Sequence, residues 1–299
     1  MRQRIFRWLA AASLLAGCAT APALTPEITP VVMQAAETSL PPPPEPAPTH
    51  TPTPQPSPTA TIAPTSTPDP ASLFDVFSPL EGITIAELRE ILTTPFQPPK
   101  LGRDDGHHGV DLAYYSRGER GSIEGLPIFA PFAGLVAGRV DDRYPYGNMI
   151  IIETPLSALP EALQEKLTLQ LQPTPAVPDA RLTCPAWEGI KSLDYGALSV
   201  YVLAAHMAEA TPLLIGETVA GGQQVGLVGN TGGSGNPHLH LEIRLGPAGG
   251  RFDSMSHYRN NLPEAEMANY CAWRTSGAFQ LLDPLWVLEE SAAWVAAKK

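Results

Sequence analysis

From Leu40 to Pro70 the chain is nearly all Pro, Thr, Ser and Ala, and that limits how much of it can fold. Such a run has too little apolar surface to offset its ordering entropy, so it is expected to be disordered or polyproline II. Proline makes up 34 of the 299 residues and clusters here. Setting the run aside leaves a globular part over residues 72–299, ample for a full core.

The N-terminus is equally restrictive. Arg2, Arg4 and Arg7 precede a short apolar run, Trp8 to Ala16. The run is too short to span a bilayer but suits the core of a signal peptide. It stops at Leu15-Ala16-Gly17-Cys18, which resembles the lipobox of bacterial lipoproteins. The resemblance implies that residues 1–17 are removed and that Cys18 takes the lipid, anchoring the protein to a membrane in the extracytoplasmic cell envelope. The plainer readings are an ordinary signal peptide, or an uncleaved anchor with an incidental cysteine. Residues 18–71 would then be a tether. About thirty residues of polyproline II at ~3.1 Å each reach roughly 90 Å, a span suited to a wall layer above a membrane.

Two more cysteines, Cys184 and Cys271, form an even pair in an exported domain, where disulfides persist. Both fall in stretches that read as insertions, where a bridge would help. The alternative is two unrelated small apolar residues. The formal net charge is −11 with dispersed acids and no basic stripe, which argues against nucleic acid as a partner.

Along the globular part, 81–92 reads as a short helix and Val110 to Tyr115 as extended. Leu126–Ala130, Gly134–Val140, Asn148–Glu153, Leu198–Ala205 and His238–Leu245 read as strands, and Gly216–Gly229 as a strand with a tight turn. Pro160–Leu169 reads as a helix, as does Asp283–Ala297 with Pro284 near its start. The expected fold is mainly β: an antiparallel sheet with peripheral helices and loop insertions over about 155–197 and 246–280.

Histidine carries the chemistry. In His238-Leu239-His240-Leu241-Glu242-Ile243, strand alternation puts His238, His240 and Glu242 on one face and the apolar residues on the other. The expectation is one buried face and one polar, functional face. Upstream stands His107-His108-Gly109-Val110-Asp111. Its glycines argue against a helix, and a turn entering a strand can aim His107 and Asp111 at one ion. His206 ends the apolar strand Val200-Tyr201-Val202-Leu203-Ala204-Ala205. Each signal alone is weak: Asp111 could cap a turn, and each histidine could be solvated or part of the core.

In this order, HHGVD, YVLAAH and GLVGNTGGSGNPHLHLE, the chain resembles the lysostaphin/LytM-type zinc endopeptidases that cut peptidoglycan peptides. GLPIFAPFAGLVAG and YGNMIIIE also look like strands of that family. The resemblance covers roughly Pro95 to Arg244, plus Asp283-Pro284. It implies the family's antiparallel groove, related to the duplicated hybrid motif, with a core over about 95–245 and 281–288. It further implies Zn²⁺ held by His107, Asp111 and His240, with water in an open fourth position. His206 and His238 would be the catalytic histidines that orient or deprotonate the water and stabilise the oxyanion. His108, beside the ligand, would line the groove or be solvated. Peptidoglycan is the implied substrate, and an activator protein that opens the groove is an implied partner. Family members lacking zinc ligands act instead as regulators of other wall hydrolases; the complete residue set here argues for the enzyme.

The chain departs from the family pattern in three places. The loop holding Arg117-Gly118-Glu119-Arg120 is longer, the segment Pro155–Gly196 replaces a short hairpin, and the glycine turn reads Ser234-Gly235-Asn236-Pro237. None removes a ligand, but all bear on what enters the groove.

Overall fold

The structure, a computed structural model, describes residues 74–99, 104–114, 121–171, 184 and 193–298. All of these lie in one compact unit, Ala63–Lys299. The signal peptide, Cys18, the whole of the tether and Arg117 to Arg120 lie outside the described residues.

A single strand organises the sheet. β9 (Leu239–Ala248) pairs with β2 (Val110–Leu112), β6 (Asp194–Met207) and β10 (Gln280–Leu282). Beyond these lie β1 (Leu92–Thr94) on β2, then β5 (Gly147–Pro155), β4 (Gly134–Arg143) and β7 (Thr218–Val219) on the far side of β6. Every pairing among these strands is antiparallel. A separate two-stranded sheet joins β3 (Pro127–Phe129) to β8 (Gln224–Leu227). Among the described residues, three α-helices accompany the strands: α1 (Glu161–Thr168), α2 (Glu264–Arg274) and α3 (Pro284–Ala296). The 81–92 helix is a 3₁₀ turn over Ile85–Ile91. Asp283 caps α3 by accepting a hydrogen bond from Leu285 N at 3.0 Å, with Pro284 at the first turn, where its missing N–H costs nothing.

The large sheet buries both faces. Leu239, Leu241, Ile243 and Leu245 of β9 enter one core with Val200 and Val202 of β6 and with Leu285 and Leu288 of α3. Tyr201, Leu203 and Ala205 of β6 enter a second core with Ile151 of β5. Double-sided burial explains why β5 reads Met149-Ile150-Ile151-Ile152 without alternation: consecutive side chains point to opposite faces, and each face meets a core.

The cover of the second core corrects the sequence reading of 246–280 as an irregular insertion. This segment contains the eleven-residue helix α2 and lays Phe252, Met255, Tyr270, Trp273 and Phe279 across the sheet. Its helical pattern was hard to see because the buried side of α2 carries Glu266 and Cys271 rather than an aliphatic stripe. Cys271 is joined by a disulfide to Cys184, which ties α2 to the stretch between α1 and β6. The expectation of one open polar face on β9 also changes: Glu242 is 0% exposed.

Candidate metal centre

The register of β9 assembles the site. His240 lies opposite Asp111 of β2 on one side and opposite Ala205 of β6 on the other, so His206 follows one step beyond. His107 precedes β2 in a turn that needs two glycines. Gly106 has φ +80° beside Gln97 O, and a Cβ on Gly109 would sit 2.2 Å from Leu241 O. Only glycine lets the turn lie this close to β9. His206 itself takes φ 60°, at the point where β6 leaves its partner, and its N–H bonds to Tyr146 O at 2.9 Å.

His107 Nε2, Asp111 Oδ1 and His240 Nδ1 converge. Asp111 Oδ1 is 3.0 Å from His107 Nε2 and 2.9 Å from His240 Nδ1, and the two nitrogens are 3.1 Å apart. Carbonyl oxygens accept and never donate, so neighbouring groups fix where the ring protons sit. His107 Nδ1 donates to Pro95 O at 3.0 Å, leaving a lone pair on Nε2. His240 Nε2 lies 3.2 Å from a carboxylate oxygen of Glu242. With His240 Nδ1 deprotonated, two imidazoles and a carboxylate aim acceptor atoms at one point, and a shared proton or cation is needed to hold them there. Their ligand atoms all lie within 4.8 Å of one another, so this group can hold a metal ion.

The electrostatics express the same demand. Burial disfavours a charged Asp111, yet the rings of His107, His238 and His240 around it hold its carboxyl far below the usual range. Burial also works against a charged His240, but Asp111 and Glu242 outweigh it and raise the ring to about 9.

The other two predicted histidines stand beside the cluster. His206 and His238 have ring centroids 4.8 Å apart, and His206 is 5.8 Å from His240. His206 Nδ1 donates to Thr231 O at 2.8 Å, and His238 Nδ1 donates to Asn236 O at 2.8 Å. Both therefore keep Nε2 free. The glycine turn provides these carbonyls, so its altered sequence still orients the rings.

The five residues line a cleft of about 600 Å³. Thr93 and Thr94 wall one part, Tyr144 and Pro145 another, and Gly233 to Asn236 a third. Tyr258, Tyr270 and Arg274 come from the 246–280 segment and meet on Asp104. Tyr270 Oη donates to Asp104 at 2.9 Å and Arg274 Nε at 2.6 Å, with Tyr258 Oη also donating.

His108 departs from its expectation as a groove-lining or solvated residue. It is 1% exposed, with Arg244 Nη2 donating to its Nδ1 at 2.9 Å. It does not line the cleft and lies instead against Arg244. Burial first, then Arg274 and Arg244, push its ring far below the ordinary range, so it is neutral. Sequence reading also missed Asp104, Arg274, Tyr258 and Tyr270, whose stretches carry no motif. Glu242 and Arg244 did carry a signal: they follow His240 at strand period.

Buried neutral histidines make stability depend on pH. Burial lowers His206 to about 3, and His108 is lowered further, against 6.5 in the open chain. The unfolded chain therefore binds more protons in acid. The stability these rings contribute is complete above about pH 6.5 and is lost as pH falls toward the folded values, by up to about 1.4 kcal/mol per pH unit for each ring. Urea unfolding of metal-free protein between pH 4.5 and 6 is expected to show this slope, and His206→Asn should remove about one proton of it. A slope unchanged by that substitution would contradict a neutral buried His206.

Comparisons with known proteins follow the same lines. Residues 192–253 match the model of peptidase family M23. No curated protein matches the sequence significantly. Among solved structures, the chain is similar to the catalytic domain of a prophage-encoded M23 protein from Enterococcus faecalis, with 22% identity, TM-score 0.31, and 54% of this chain and 85% of that one covered. It is similar to the catalytic domain of lysostaphin from Staphylococcus simulans, with 17% identity, TM-score 0.34, and 69% and 98% covered. A zinc-containing peptidase from Vibrio cholerae shows 20% identity, TM-score 0.28, and 51% and 32% covered; the chain spans about a third of that protein.

Proposed function

We propose that this chain, which carries a peptidase family M23 domain of the LytM/lysostaphin type, is a zinc-dependent endopeptidase that hydrolyses peptide bonds in peptidoglycan. The observation that supports this most is the convergence of His107 Nε2, Asp111 Oδ1 and His240 Nδ1 beside two histidines with free Nε2 atoms. Two nitrogens and a carboxylate oxygen form a donor set suited to zinc, with room left for water on the cleft side. A bound zinc ion supplies Lewis acidity for activating water and polarising the scissile carbonyl.

The rest of the mechanism belongs to the protein. His206, neutral at physiological pH, accepts a proton through Nε2 because its Nδ1 proton is committed to Thr231 O. His238, oriented by Asn236 O, places its Nε2 next to Asp111, 3.4 Å from Oδ1, where it can hydrogen-bond the developing oxyanion once protonated. Thr93, Thr94, Tyr144 and the Gly233–Asn236 turn shape the path of the substrate peptide. The reading places the enzyme outside the cytoplasm on a lipid carried by Cys18, with 18–71 as its reach into the wall. Among the described residues, no helix is long and apolar enough to cross a membrane.

Digestion of purified sacculi, followed by mass spectrometry of the muropeptides, tests the activity. New peptide amines are expected, lost with a zinc chelator and restored by added zinc. Bound zinc without any released peptide would move the assignment to a regulator of another wall hydrolase. Mass spectrometry of the mature protein also tests for the expected lipidated Cys18 at its N-terminus.

A further inference from the structure

Four histidines face the cleft, and their orienting partners differ. His107, His206 and His238 each donate Nδ1–H to a main-chain carbonyl and turn Nε2 inward. His240 is reversed: Nδ1 faces Asp111 and His107, while Nε2 points into the protein at Glu242 Oε1, 3.2 Å away. Both ring nitrogens thus face carboxylates, which only accept; when a metal takes Nδ1, the remaining ring proton sits on Nε2 and is donated to Glu242.

We infer that Glu242 is a positioning residue for metal binding, accepting the Nε2 proton of His240 and so holding the ring with Nδ1 turned to the cluster as a ligand. The inference rests on the metal reading above.

The surroundings of Glu242 support the role. Its Oε2 takes hydrogen bonds from Arg244 Nε at 2.8 Å and Trp273 Nε1 at 2.9 Å; its Oε1 takes Tyr146 Oη at 2.7 Å. The carboxylate is fully buried and cannot rotate without abandoning these donors. Arg244 pairs with the buried carboxylate, its Nη2 lying 2.7 Å from Oε2. One donor, Trp273, comes from α2, so the segment covering the second core also holds the metal ligand in its working form. Partners of this kind set ligand tautomer and commonly change metal affinity by about 10–100-fold when removed.

Glu242→Gln tests this with little change in shape. Only donors surround Oε2, so the new amide nitrogen must occupy the Oε1 position and donate toward His240. The Nε2–H of a metal-bound His240 then meets a donor in place of an acceptor, and the liganding orientation of the ring loses its support. Zinc affinity, read by competition with a chromophoric chelator, is expected to fall about 10–100-fold. Nitrogen-15 NMR of zinc-loaded protein is expected to show His240 bound through Nδ1, with its Nε2–H signal shifted downfield by the bond to Glu242 in the unmodified chain and losing that shift in the variant. Tyr146→Phe, which leaves the carboxylate in place, is expected to keep the downfield signal. A folded Glu242→Gln protein with unchanged affinity and Nε2–H signal overturns the inference, even if it is less stable. If that variant does not fold, ligation of zinc through His240 Nε2 in the unmodified protein overturns it as well. Failure of the unmodified protein to bind zinc would instead remove the metal reading, and this inference with it.

Discussion

His206→Asn is expected to lower the turnover of peptide hydrolysis by about 10²–10⁴ while leaving zinc affinity and KM nearly unchanged. The loss is confined to turnover because His206 lies outside the ligand cluster: its ring is oriented by Thr231 O and presents Nε2 to the cleft. Burial holds the ring at about 3, so it is unprotonated at neutral pH and ready to accept. Asparagine is the right replacement, since it tolerates the left-handed backbone that His206 adopts at φ 60° and cannot act as a base. Single-turnover rates on a synthetic peptide and chelator competition separate the two effects. A variant that loses zinc together with activity would make His206 a ligand. A fully active one would remove it from the mechanism.

Arg244→Met is expected to destabilise the domain by about 3–5 kcal/mol, the usual cost of removing one partner from a buried ion pair. Arg244 is 1% exposed and donates to Glu242, to Trp273 O at 2.6 Å, to Phe279 O at 3.1 Å and to His108 Nδ1. Methionine fills most of the volume but meets none of these acceptors, and Glu242 is left buried with less compensation. The guanidinium also stacks on the Trp273 ring at 4.6 Å. Urea unfolding of the metal-free protein measures the change without a contribution from zinc. A loss below about 1 kcal/mol would mean that water enters the network and that it is less closed than its geometry indicates.

Much of this arrangement was legible in the sequence. HHGVD and HLHLE announce a site because strand alternation puts alternate residues on one face, and the antiparallel partners of β9 bring Asp111 beside His240. The strands were readable for the same reason. Alternation could not say whether the polar face of β9 meets solvent or a second core. That depends on 246–280, whose contribution is tertiary: α2 buries Tyr270, Cys271 and Trp273 beside Glu266. The same gap hid His108, whose burial follows from Arg244 across 136 residues of chain rather than from any local pattern.

The bond from Trp273 to Glu242 has a consequence for how such a protein can change. The segment that supplies Tyr258, Tyr270 and Arg274 to the cleft is the natural place for variation that admits a different peptide. Yet the same segment supplies the indole that steadies the carboxylate behind His240. Grafting that wall wholesale from another chain would detune metal capture along with specificity, so diversification here favours exchanges at the exposed Tyr258 tip that leave the Trp273 anchor in place.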